Sequence, residues 1–96
     1  MSSESTNQEA EEALPRIDFS TFILSLSHSA LMNLGEAPDP ETGQLETNLP
    51  LARQTIDLIA MLEERTRGNL SGEEERLLGQ ILFDLRMRYV ELTKTK

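Results

Sequence analysis

The chain of 96 residues has no cysteine and a single histidine. Without cysteine there is no disulfide to staple the fold, no thiol nucleophile and no thiolate metal ligand, and the absence fits a reducing compartment. With His28 as the only imidazole, every histidine-based metal centre or histidine-activated nucleophile depends on one residue. Glycine-rich phosphate loops and the G-x-S-x-G, H-E-x-x-H and paired C-x-x-C patterns are all missing. Positive charge is also scarce, with 9 basic against 17 acidic residues and a formal net charge of −8. Phosphate contacts require local positive charge, so nucleic acid and anionic lipid are poor partners and a basic partner is easier to accommodate. Arg86 and Arg88, the nearest thing to a basic patch beside Tyr89, are two apart and leave a helix on different sides. These gaps lead us to expect no enzyme activity, no cofactor and no bound metal.

Composition divides the chain near residue 16. Residues 1–16 carry Glu4, Glu9, Glu11 and Glu12 among small polar residues, with Leu14 the one strong hydrophobe. Such a segment cannot offset the entropy of ordering, so it reads as a disordered acidic tail. It has neither the cationic start nor the apolar stretch of a secretory signal, which leaves the cytoplasm as the expected location. Residues 17–93 read as one helical domain, near the size at which a single core is marginal and oligomerisation becomes a natural staple.

Within that domain, residues 19–35 contain no Asp, Glu, Lys or Arg, although the chain as a whole is 27% charged. On a helical repeat Phe19, Phe22, Ile23, Leu26, Ala30 and Leu34 form one stripe, while Leu24, His28, Leu31 and Met32 lie across from it. A helix apolar on two sides calls for two neighbours. It is too short, and too diluted by Ser25, Ser27 and Ser29, for an ordinary membrane span, which takes about 20 apolar residues. Asp18 is a good N-cap and Gly35 a good residue to follow the last turn. Pro38, Pro40 and Gly43 then predict an ordered turn and an extended connector, with Leu45 pinning it to the core.

Asn48 can cap a second helix that tolerates Pro50 in its first turn and ends near Thr66, before Gly68. Its inner face is expected along Leu51, Thr55, Leu58 and Leu62, widened by Ala52, Ile56 and Ile59, with Glu63 and Arg67 as an outer pair. Ser71 and Glu74 have the spacing of a capping box, and the acids 73–75 suit the positive end of a helix. A third helix should follow to about Leu92.

That third helix carries two seams. Leu78, Leu82, Leu85, Tyr89 and Leu92 make one, and Gly79, Phe83, Met87 and Val90 make another about 140° away at 100° per residue. One can be buried within the chain; the other needs the first helix or a second chain. Asp84 and Arg88, four apart, form an exposed pair between them.

The blocks DFSTFILSLSHSAL, NLG, PDPETG, NLPLARQTIDLIAMLEERTRGNL and EEERLLGQILFDLRMRYVE occur in an order and at spacings that resemble the family catalogued as domain of unknown function 1844, over about residues 17–91. The resemblance implies a small, soluble, helical bacterial protein with no assigned activity or cofactor, and it carries over no catalytic residue. His28 stands where a small polar residue fits that pattern, which weakens any catalytic role for it.

The combined expectation is an all-α fold of three helices, a charge-poor first helix plus an antiparallel hairpin over residues 49–92, assembled as a homodimer. The expected function is a cytoplasmic protein–protein interaction module or accessory subunit without catalysis, free of nucleic acid and of any transmembrane segment. Interface candidates are Leu24, His28, Leu31, Phe83, Met87 and Val90. Two alternatives are a membrane-peripheral module using the first helix, and a small metal-dependent enzyme in which His28 meets acids such as Asp84 across a dimer.

Overall fold

A computed structural model describes residues 17–94. The tail expected at residues 1–16 lies outside the described residues.

The first helix, α1, spans Phe19–Asn33. Its start is set by Asp18, whose Oδ1 accepts the Thr21 N–H at 2.8 Å and satisfies one of the backbone donors a helix leaves free. That hydrogen bond, with a smaller contribution from the Thr21 side chain, holds the Asp18 carboxyl below its usual pKa. The end is equally specific. Gly35 turns the chain at φ 79°, its N–H reaching Met32 O at 3.0 Å while the Glu36 N–H reaches back to Leu31 O at 2.9 Å. The pair of bonds is a Schellman cap, and the left-handed conformation it requires is the reason for glycine at that position.

The connector 34–48 is tied at both ends. Leu34 is buried and bridges Thr47, and the Asn48 N–H donates to Asn33 O at 2.7 Å. In between, Asp39 organises a self-contained turn: its Oδ1 takes the Glu41 N–H at 2.8 Å and its carbonyl takes the Gly43 N–H at 2.7 Å. Leu45 does not pin this loop to the core; it is 62% exposed. The turn satisfies its own backbone without Leu45, and the buried hydrophobe of the connector is Leu34 instead.

The second helix, α2, spans Leu49–Arg65, capped by Asn48 Oδ1 on the Leu51 N–H at 3.1 Å. Its buried line is Ala52, Ile56 and Ile59, whereas Leu51 and Leu58, expected at the centre of the inner face, are 43% and 40% exposed. The buried centre therefore lies on the Ala52, Ile56 and Ile59 side of the expected face, and of the other line Leu62 packs partly buried against the core. Glu63 and Arg67 do not form the expected ion pair, because the helix stops at Arg65 and Arg67 belongs to the following turn.

The third helix, α3, spans Gly72–Lys94. Ser71 and Glu74 cap it reciprocally, the Ser71 N–H donating to Glu74 Oε1 at 2.8 Å and the Glu74 N–H to Ser71 Oγ at 3.1 Å. Each helix packs against both others. The buried core takes Ile23 and Ala30 from α1 and Leu34 from the residue that caps it, Ala52, Ile56 and Ile59 from α2, and Leu78, Leu82 and Leu85 from α3. Phe19, Leu26, Tyr89 and Leu92 pack partly buried around it. The result is an all-α arrangement of three helices whose core, among the described residues, holds no polar or charged side chain.

Candidate functional site

Of the two seams of α3, the leucine seam is the inner one and is covered, with Leu78, Leu82 and Leu85 each 1% exposed. The outer seam is left open. Phe83 is 67% exposed, Met87 51% and Val90 48%. They line a groove of about 610 Å³ that runs along α3 from Gly79 to Lys94, with Glu63 of α2 at its edge. Its polar margin comes from Arg86 and Glu91 on α3 itself. An apolar strip between charged margins, with neither the first helix nor a loop over it, is the arrangement expected of a protein contact surface.

The candidates on α1 fall elsewhere. Leu24 and His28 are exposed, Leu31 is half-buried against the core, and none of the three lines the α3 groove. The structure brings Phe83, Met87 and Val90 together and leaves Leu24 and His28 as a separate exposed stretch.

A second apolar surface was not anticipated from the sequence. Leu58 and Met61 of α2, 40% and 46% exposed, line a shallower depression with Thr55 and Asp57. The signal existed in the two parallel apolar lines of α2, but spacing gave no means of telling which line faced inward.

The electrostatics on the other side of α3 are those of a structural tie. Arg88 donates from Nε to Asp84 Oδ2 at 2.9 Å and from its terminal guanidinium to Glu36, which follows the cap of α1. The hydrogen bonds to Asp84 and then to Glu36 raise the Arg88 pKa. Asp84 to Arg88 was legible from spacing; Glu36, 52 residues away in sequence, was not. All three groups are substantially exposed, so the tie orients the loop more than it stabilises the fold. Among the described residues no three His, Asp or Glu side chains gather as a metal site would need. No helix among them is long and apolar enough to cross a membrane.

The family described as Domain of unknown function (DUF1844) matches residues 16–91. The chain belongs to that family. The DUF1844 match takes in α1, α2 and all but the last three residues of α3, so the core and every residue lining the groove except Lys94 lie within the shared region. No curated protein and no solved structure matches the chain.

Proposed function

We propose that this DUF1844 protein is a non-catalytic protein–protein interaction module that associates with a second copy of itself through the outer face of α3. The observation that carries the reading is the contrast along one helix: Leu78, Leu82 and Leu85 of its inner seam are buried, while Phe83, Met87 and Val90 form an open apolar row. A small chain gains from covering such a row, because removing apolar area from water contributes about 25 cal/mol per Å². The same reading treats α2 and α3 as an antiparallel hairpin, supported by their mutual packing and the six-residue link 66–71. It places the protein in the cytoplasm, a reducing compartment that suits a cysteine-free chain. A membrane-peripheral role would draw on Phe22 and Leu24 of α1, but the acidic balance of the chain opposes anionic lipid.

The test is a light-scattering dilution series on wild type and Met87→Glu. The wild type is expected to be dimeric at tens of micromolar. The variant, which places a carboxylate in a dry contact, is expected to be monomeric with its helical circular dichroism intact. A wild type that stays monomeric across that range refutes the self-association.

A further inference from the structure

Resting on that self-association, we infer that two copies of α3 pair in parallel, with Arg86 of each copy set against Glu91 of the other. The outer row has coiled-coil spacing. Phe83, Met87, Val90 and Lys94 are separated by four, three and four residues, and Gln80 and Arg76 continue the series towards the start of the helix. Gln80, Met87 and Lys94 therefore occupy one core position of the heptad, and Arg76, Phe83 and Val90 the other. Arg86 immediately precedes Met87 and Glu91 immediately follows Val90, which places them on opposite shoulders of the seam.

Orientation follows from which shoulders meet. In a parallel pair, the residue before one core position faces the shoulder five residues further along the other helix. Five residues separate Arg86 from Glu91, so a two-fold axis along α3 creates this opposite-charge pair twice. In an antiparallel pair like shoulders face each other: Arg86 then meets its own copy, and Asp84 meets Asp84 or Glu91. The antiparallel form retains one kind of attraction, also formed twice, between Glu63 at the groove edge and Lys94 of the other copy, at the last residue of the helix. That terminal contact is weaker than the central pairs it would have to offset. Both Arg86 and Glu91 line the groove, and neither forms an ion pair within the chain among the described residues, whereas Asp84 is already engaged by Arg88. The two charges beside the seam are thus available to a second copy, and Gln80 can meet its counterpart as a polar core residue that fixes register.

The cysteine-free sequence makes the geometry directly readable. In a dilution series at low salt, R86E turns two attractions into two repulsions and should weaken the dimer about tenfold, while R86E/E91R should restore it. Under mild oxidation Gln80→Cys should crosslink to itself. If the wild type is dimeric but R86E leaves the affinity unchanged and Gln80→Cys links instead to Val90→Cys in a mixture, the parallel orientation is overturned and the self-association stands. A monomeric wild type removes both. Helical circular dichroism of each variant separates a lost contact from a lost fold.

Discussion

The two seams of α3 have nearly the same sequence character and opposite fates. Leu78, Leu82 and Leu85 disappear beneath α1 and α2, while Phe83, Met87 and Val90, on the far side of the same helix, remain in solvent. The difference is not one of hydrophobicity, since phenylalanine buries more apolar area than leucine. It arises because two helices can cover only part of the circumference of a third. α1 and α2 both dock on the leucine side, where Leu78, Leu82 and Leu85 join the buried residues of the other two helices in one core. What remains open on α3 is then a surface available to another molecule.

The contrast breaks most sharply at adjacent residues. Leu82→Ala should cost about 2–5 kcal/mol, a large share of the roughly 5–15 kcal/mol that holds a domain together. Phe83→Ala should change the unfolding free energy by no more than about 0.5 kcal/mol when measured at concentrations too low for association. Chemical denaturation of the two variants decides the matter. Equal losses would mean that Phe83 is covered within the chain and that the outer face is no surface at all.

A smaller effect should come from the loop that places α1 over the inner seam. Gly35 holds φ 79°, and a Cβ there would run into Thr47 Oγ1. Gly35→Ala should therefore destabilise by upwards of about 1 kcal/mol through strain at the cap and at the Leu34–Thr47 bridge. Hydrogen exchange should show faster opening at α1 than at α3. Uniform acceleration across all three helices would mean that α1 cannot loosen independently of the seam it covers.

The smallest effect is one of pH and should touch neither face. Because hydrogen bonds from Thr21 lower the Asp18 pKa in the folded protein, the ionised cap contributes stability above the ordinary carboxylate range and loses it as pH falls through the lowered value. Asp18→Asn keeps a good N-cap but removes that titration. Its stability near neutrality should be almost unchanged, and its acid limb should be flatter than that of wild type in thermal melts between about pH 5 and pH 2. An unchanged acid limb would show that the cap does not contribute to acid sensitivity.

The helices were legible because their ends are written in local chemistry. Asp18, Asn48 and the Ser71–Glu74 box each satisfy backbone donors three residues away, and Gly35 adopts the conformation that glycine alone takes easily, so no distant residue is needed to set these boundaries. The inward line of α2 was not legible, and neither was the exposure of Leu45. Both depend on which side chains the packing of the helices takes in, as it takes Leu34 and not Leu45 from the connector. The Glu36–Arg88 contact belongs to the same class, since it joins residues that only the packing of α1 against α3 brings together.

For the candidate site, the sequence alone determined that α3 has two apolar seams, since a 3.6-residue repeat places side chains on a face without reference to anything else. It also determined, through −8 net charge and the missing cysteines, which chemistries lack their reagents. Only the tertiary structure decided that the leucine seam is the covered one, that Leu24 and His28 do not join Phe83, Met87 and Val90 in one groove, and that Arg86 and Glu91 line its margins. Periodicity is a property of one helix, whereas burial is a property of the space between helices, and that space exists only after all three have been placed.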